Sequence, residues 1–142
     1  MLGVEPEIVD NYIDTGQVKL VFWPMLDHGS HSLNAHAAAD CVGRQSADAF
    51  WEVHDSFFEN QSELWGAERS YFVETAANVG VDQTAFETCF DSGLGHESVV
   101  ELDKIRRNLG ILNRPTFDIN GTYIIGSQPY VFFSEYIDSI LP

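Results

Sequence analysis

The sequence predicts an α/β domain that contains a large helical insertion, and three observations lead to this prediction. A β-branched and aromatic run occupies residues 18–23, apolar residues recur at helical spacing through about 32–110, and an Asn-Gly pair separates two further β-type runs near the end of the chain. Helices and strands in this order are typical of α/β and α+β domains. A length of 142 residues fits one compact domain over 1–142.

The first predicted elements are a helix over 5–12 and a strand over 18–23. Pro6 suits the first turn of a helix, and the acidic Glu5 and Glu7 suit its positive end. Gly16 supplies a stop for the helix. The run from Val18 to Trp23 follows as a buried strand that Pro24 ends.

Five helices are predicted in the insertion. Ser32 is the expected N-cap of the first helix and Asp82 that of the fourth, while glycines at 80, 93 and 110 end the last three. The second helix carries an aromatic stripe that predicts a packed core or, alternatively, the lining of a ligand pocket: Phe50, Trp51, Phe57 and Phe58, with His54 on the same stripe. His54 is expected to be a core histidine with a hydrogen-bond partner.

The end of the chain changes period from helix to strand. The runs 116–119 and 122–125 flank Asn120-Gly121, and Asn-Gly between two β-type runs predicts a tight hairpin because both turn positions need positive φ. Pro129 then begins a last helix that extends to about Leu141. With the run at 18–23, the hairpin makes a predicted sheet of three strands.

The predicted first helix has no strand before it, although a helix followed by a strand is the second half of a βαβ unit. We therefore expect the first strand of that unit to be missing from this sequence or to come from another chain. A sheet with such a gap exposes two edges, which predicts either a homodimer that shares strands or a rearranged sheet.

The charge of the chain restricts its partners. It carries 22 acidic and 7 basic side chains, a net charge of −15, which argues against binding nucleic acid or an anionic membrane surface. There is no run of apolar residues long enough to span a membrane, and the first residues do not form a signal peptide. If the sequence is the whole protein, it predicts a cytosolic location. If it is a fragment, the cellular location is unknown.

Several short motifs, taken in order, resemble the DsbA-like thiol–disulfide oxidoreductases of the thioredoxin superfamily. The run 113–121 followed by 125–130 resembles the cis-proline loop and terminal hairpin of this family, and Ala37-Ala38-Ala39-Asp40-Cys41 with 50–61 resembles its helical insertion. Residues 14–18 resemble the turn after its active-site helix. The resemblance implies a thioredoxin-like α/β fold whose helical insertion covers about 32–110 and which is truncated at its N-terminus.

The resemblance also implies a mechanism. In the family, a C-x-x-C pair at the start of the first helix exchanges disulfides with client proteins, and a cis-proline loop beside it docks an extended client segment. Pro115 matches that proline, so Arg114, Pro115 and Thr116 are the expected client-binding residues; Arg114 departs from the small or β-branched residue usual there. No residue matches a catalytic cysteine, so none is assigned. The family implies an extracytoplasmic location in a bacterium or archaeon.

The two cysteines, Cys41 and Cys89, leave three alternatives open. Some relatives carry a structural disulfide in the insertion, and the resemblance therefore favours a Cys41–Cys89 bond. The other two interpretations are a pair of buried thiols and an exchanging redox pair. The sequence places no activating helix start or cation beside either cysteine.

No metal or cofactor is expected. His28, His31 and His36 follow Asp27 and could gather around a metal ion, but they lie in a loop leading into a helix, where solvated or capping histidines are the simpler explanation. His96 has no companion in the sequence.

Three classes of function remain compatible with the sequence. The favoured one is the domain of a thiol–disulfide oxidoreductase acting on protein cysteines, inactive in this form because the C-x-x-C motif is absent. The alternatives are a non-catalytic module that binds peptides or proteins, and a glutathione-dependent transferase or isomerase on the same fold.

Overall fold

A computed structural model describes residues 3–142 of the chain. These residues form two compact units. The first, here called the sheet unit, comprises the chain up to Phe22 together with Gly110–Pro142, and the second, called the helical unit, comprises Trp23–Leu109. The helical unit coincides with the predicted insertion to within about ten residues at its start; whether the chain folds as a single domain stays a prediction.

The described elements follow in chain order. They are α1 (Glu5–Ile8), a π-helical turn (Val9–Ile13), α2 (Ser30–Gly43), α3 (Ala47–Glu59), α4 (Gln61–Leu64), α5 (Arg69–Asn78), α6 (Gln83–Asp91), α7 (Leu94–Asn108), β1 (Thr116–Ile119), β2 (Thr122–Ile125) and α8 (Tyr130–Ile140). In these residues, no helix is both long and apolar enough to cross a membrane.

The hairpin in the sheet unit confirms the prediction made from Asn-Gly. Strands β1 and β2 pair antiparallel, with Thr116 opposite Ile125 and Ile119 opposite Thr122. Asn120 and Gly121 have φ values of 51° and 92°, which are the positive values that a two-residue turn of this kind requires. The side chain of Asp118 accepts a hydrogen bond of 2.7 Å from the Gly121 N–H and so holds the turn closed.

Tyr12 connects the first helix to the last one in the sheet unit. Its ring is buried with Ile124, Phe133 and Ile137. Its hydroxyl donates a 2.8 Å hydrogen bond to Asp138 Oδ1 on α8. Burial and this hydrogen bond raise the pKa of Tyr12 to about 12, so the phenol remains a donor throughout the physiological range.

Helix α2 is the centre of the helical unit, and it packs against α3, α4, α5, α6 and α7. Small side chains make this possible, because alanine at four buried positions lets several helices approach the same backbone: Ala35, Ala37, Ala38 and Ala39. Aromatic side chains from α3, α5 and α6 fill the space around it, and Phe72 and Phe86 are almost completely buried.

Helix α7 approaches α2 closely at Gly95. A Cβ atom at this position would lie 2.6 Å from the carbonyl oxygen of Ala37 and 2.7 Å from Sγ of Cys41. Those distances are shorter than van der Waals contact, so only glycine fits while the two helices keep this separation. The glycine therefore determines how deeply α7 packs against α2.

A buried charge cluster attaches the start of the helical unit to α7. Asp103 accepts hydrogen bonds from the Leu26 N–H at 3.1 Å, Arg106 Nε at 2.9 Å and Arg107 Nε at 2.7 Å. Burial would raise the pKa of Asp103, but the hydrogen bonds from Arg107 and Arg106 outweigh it and lower the pKa. The indole N–H of Trp23 also donates to the carbonyl of Leu102, at 2.9 Å.

The predicted strand over 18–23 is wrong, and with it the predicted three-stranded sheet. These residues belong to no strand, and Val21, expected to be buried, is 62% exposed. A run of β-type residues becomes a strand only where another strand accepts its ladder hydrogen bonds, and among residues 3–142 the hairpin is a two-stranded sheet by itself. The run is also divided between the two units, because the chain passes from the sheet unit to the helical unit after Phe22.

Three details of the helices differ from the predicted ones. Helix α2 begins at Ser30 after Gly29, and Ser32 lies in the first turn, where its hydroxyl accepts from the His28 N–H at 3.1 Å instead of capping the helix. The first helix changes to a π-helical turn at Val9, and the short helix α4 was not anticipated. The predicted cap at Asp82 is confirmed, since its carboxylate accepts from the Ala85 N–H at 2.7 Å.

The close approach at Gly95 makes a testable prediction for stability. Gly95→Ala should lower the free energy of unfolding by about 1–3 kcal/mol or more, because the new methyl group must displace backbone of α2. Gly66→Ala is the matched control: a Cβ there meets nothing within 4 Å, so the expected effect is neutral or a stabilisation of at most about 1 kcal/mol. Urea unfolding measures both; equal behaviour of the two variants would contradict the packing described.

His36 makes the stability of the helical unit depend on pH. Burial, followed by the nearby imidazole of His54, lowers the pKa of His36 from 6.5 to about 4. The unfolded chain therefore binds more protons than the folded one between about pH 6.5 and 4, and the free energy of unfolding should fall by roughly 3 kcal/mol at most across that window as the pH decreases.

His36→Gln should flatten this part of the pH profile. Urea unfolding from pH 7.5 downward gives the slope of the unfolding free energy against pH for each protein. A loss of stability that is the same at every pH does not change this slope. A variant slope equal to that of the unaltered chain would show that another group is responsible.

Candidate functional site

The predicted client-binding residues lie in the loop that precedes β1 of the sheet unit. The peptide bond between Arg114 and Pro115 is cis. Two hydrogen bonds fix the ends of the loop: the Pro115 carbonyl accepts from the Gly126 N–H at 2.9 Å, and the Asn113 carbonyl accepts from the Thr116 hydroxyl at 2.6 Å. Arg114 lies between these two attachment points, with its side chain exposed.

The strand that continues from this loop offers a backbone edge. Strand β1 pairs with β2 on one side, and within the described part of the chain no strand pairs with its other side. An extended peptide can pair with such an edge through main-chain hydrogen bonds while adjacent side chains select its sequence. The loop and strand therefore place a cationic side chain, Arg114, beside a backbone edge suited to an extended polypeptide.

The two cysteines lie in the other unit. Cys41 of α2 and Cys89 of α6 form a disulfide, with Sγ atoms 2.02 Å and Cα atoms 5.8 Å apart. Both side chains are buried. Because their sulfurs are bonded to each other, neither residue supplies a thiolate for exchange or for binding a metal ion. The pair links α2 to α6, and the sheet unit contains no cysteine.

Asp40 lies beside the disulfide. One of its carboxylate oxygens is within 4.8 Å of both cysteine sulfurs. The carboxylate also accepts hydrogen bonds from Arg44 at 2.7 Å and from the Ser98 hydroxyl at 2.9 Å. These contacts give Asp40 a structural role between α2 and α7, and the expectation that no metal is bound stays a prediction.

The histidines do not gather into one site. His28 and His31 both contact Trp65, with ring centroids 5.4 and 5.0 Å apart respectively. His96 Nε2 lies 3.1 Å from Asn34 Oδ1, so it has the companion that the sequence did not reveal. His36 lies further along α2, close enough to His54 for the two imidazoles to interact electrostatically.

His54 is a core histidine with a hydrogen-bond partner, as predicted. It is almost completely buried, and its Nδ1 lies 2.9 Å from Asp55 Oδ1. Its ring lies against Trp51 and Phe58, with centroid distances of 5.1 and 4.7 Å. The aromatic stripe of α3 packs around this imidazole and against the helical core, which favours the core interpretation over a ligand pocket.

Sequence reasoning missed the two residues that hold the loop. Asn113 and Gly126 lie within the two runs that resemble the family, but the sequence predicts no role for either. Gly126 has a φ of 87°, which favours glycine and turns the chain so that its N–H reaches Pro115. A glycine directly after a predicted β2 was the available signal.

Comparisons with known proteins show which proteins this chain is similar to. A family model described as thioredoxin matches residues 2–139. A Bacillus subtilis protein named disulfide bond formation protein D is 38% identical over 56 residues, which is 39% of this chain and 25% of that protein. A Bacillus cereus protein named probable disulfide bond formation protein D is 29% identical over 124 residues, covering 83% of this chain and 56% of that protein.

The match thus covers a quarter of the length of the first relative and little more than half of the second. The family match nevertheless covers almost the whole chain, from the residues before α1 through the loop at Pro115 to α8. The helical insertion and the terminal hairpin occupy the positions predicted from the resemblance. The chain belongs to the thioredoxin family, as a DsbA-like member with a helical insertion.

Proposed function

We infer that this chain is the client-docking part of a thiol–disulfide oxidoreductase that acts on cysteines of other proteins. The observation that carries the proposal is the loop 113–116, which presents Arg114 beside the free edge of β1 in a chain whose family match covers residues 2–139. Arg114, Pro115 and Thr116 are the proposed contacts. The names of the two relatives support the same chemistry.

Docking and chemistry are separate in this proposal. The loop binds an extended segment of the client, while exchange of the client's disulfide requires a reactive thiolate close to the bound segment. The printed sequence has no C-x-x-C pair, and its two cysteines are joined to each other inside the helical unit. We therefore propose that these 142 residues bind clients but do not exchange their disulfides.

A module that binds peptides without any redox role is the competing proposal, and it shares the same docking loop. A glutathione-dependent transferase or isomerase would instead hold the backbone of glutathione at this loop, and calorimetry with glutathione distinguishes it. The strand-sharing homodimer predicted from the sequence also stays a prediction; two unpaired strand edges would be its interface.

The redox prediction concerns insulin. The purified chain should reduce insulin in the presence of dithiothreitol no faster than a blank without protein, because it offers no exposed thiolate. An active thioredoxin-family oxidoreductase serves as the positive control. Acceleration by the chain would contradict the proposal, and loss of that acceleration in Cys89→Ala would assign the activity to the Cys41–Cys89 pair.

The docking prediction concerns Arg114. Two extended peptides, each with serine in place of cysteine, differ only in carrying Asp or Lys beside that serine. Arg114→Ala should weaken binding of the Asp peptide relative to the Lys peptide. The ratio of their dissociation constants should change by about threefold to fivefold at low salt, since an exposed charge pair is worth up to about 1 kcal/mol.

Lys19→Ala is the matched control, since Lys19 is the other basic residue of the sheet unit and is also exposed. It changes the net charge equally but lies outside the loop. Fluorescence anisotropy of labelled peptides measures the ratios. Equal shifts in the two variants would mean that only the overall charge matters and that Arg114 does not contact the peptide.

A further inference from the structure

One side of helix α7 carries three apolar residues and one serine, and two of the apolar side chains are largely exposed. Leu94, Ser98, Leu102 and Ile105 succeed one another at intervals of four, four and three residues, so they form a row along the helix, here called the α7 stripe. Leu94 is 46% and Ile105 38% exposed. The buried side of the same helix is supplied by other residues, among them Gly95, Val99, Asp103 and Arg106.

The first part of the stripe lies in a shallow, open depression of the surface, here called the groove. The groove has a volume of about 420 Å³ and is lined by Arg44 and five residues of α7, namely Leu94, Glu97, Ser98, Glu101 and Leu102. Trp23 continues the apolar surface beside Leu102, where its indole N–H donates to the Leu102 carbonyl while the side chain remains 44% exposed. An exposed tryptophan at the end of an apolar groove is typical of a binding surface.

The rim of the groove is acidic. Glu97 makes no ion pair within the described residues, and Glu101 is paired with Lys104 at 3.3 Å. The other two charges are offset by their partners, Glu101 by Lys104 and Arg44 by Asp40, whose Oδ2 lies 2.7 Å from the Arg44 Nε, so Glu97 supplies the excess negative charge of the rim. A partner with basic side chains beside its apolar ones therefore complements this rim, whereas a second copy of the chain would bring its own charge of −15 against the same surface.

The spacing of the stripe suits a helical partner. Three turns of α7 separate Leu94 from Ile105, roughly 16 Å at 1.5 Å per residue. A ridge of side chains with four-residue spacing packs into a groove on the surface of another helix. An amphipathic helix bound in an apolar groove is also a recurrent mode of recognition. We propose that the α7 stripe binds one amphipathic helix of another protein, with leucine-type residues against the stripe and lysine or arginine against Glu97.

The test uses the whole chain and a synthetic probe. The probe is a helical peptide with leucines on one face and lysines elsewhere, and its control has the same composition in scrambled order. Calorimetry should detect the amphipathic peptide in the micromolar range and the scrambled one at least about tenfold more weakly, since only the first buries its apolar face. Absence of binding by the amphipathic peptide, or equal binding of both peptides, would overturn the proposal.

Variants locate the site. Leu94→Ser should weaken binding about tenfold, and the matched control Val100→Ser, on the same helix with 48% exposure but outside the stripe, should leave it unchanged. Glu97 is exposed, so Glu97→Gln tests the rim without disturbing the core. The substitution should weaken peptide binding severalfold at low salt and by a smaller factor at high salt. Equal losses in Leu94→Ser and Val100→Ser would refute the assignment.

Analytical ultracentrifugation tests the competing occupant. The unaltered chain should show no self-association that Leu94→Ser abolishes. A dimer that depends on Leu94 would show that the stripe is an interface between copies, and it would overturn the proposal. Because these tests concern the helical unit alone, their failure leaves the peptide-docking loop of the sheet unit untouched, and failure at the loop does not affect the stripe.

Discussion

The close packing of α7 on α2 is the constraint on which the helical unit depends. Five helices surround α2, and they reach it because its buried side chains are small. Gly95 permits a close contact with α7, directly over Ala37 and the sulfur of Cys41. The disulfide to Cys89 then attaches α6 to the same point, so three helices meet there and their relative positions are determined by side chains of minimal size.

The sheet unit depends on a different arrangement. Tyr12, at the end of the first helix, packs on the hairpin and on α8 and donates its hydroxyl to Asp138. This leaves the loop 113–116 outside the core, where the carbonyls of Asn113 and Pro115 accept hydrogen bonds from the Thr116 hydroxyl and the Gly126 N–H. The docking residues are therefore held by a packed scaffold while Arg114 stays accessible, which is the usual relation between a binding loop and the fold that supports it.

Local signals in the sequence were sufficient wherever the chain supplies its own partners. Asn120-Gly121 predicted the hairpin because its positive φ values are a property of those two residues, and Asp82 predicted a helix start because its carboxylate reaches an N–H three residues away. The run 18–23 failed for the opposite reason: β-type residues indicate a strand, but the strand needs a neighbour that lies elsewhere in space. The same applies to Gly126, whose role is visible only once Pro115 is beside it.

The central claim is that clients bind at the loop before β1, and amide chemical shifts test it most directly. The isotope-labelled chain is titrated with an extended peptide in which serine replaces the cysteine of a client. The account predicts that the largest and saturable shifts occur at the amides of Asn113, Arg114 and Thr116 and along β1. Shifts confined to Trp23–Leu109, or no saturable shifts, would contradict it.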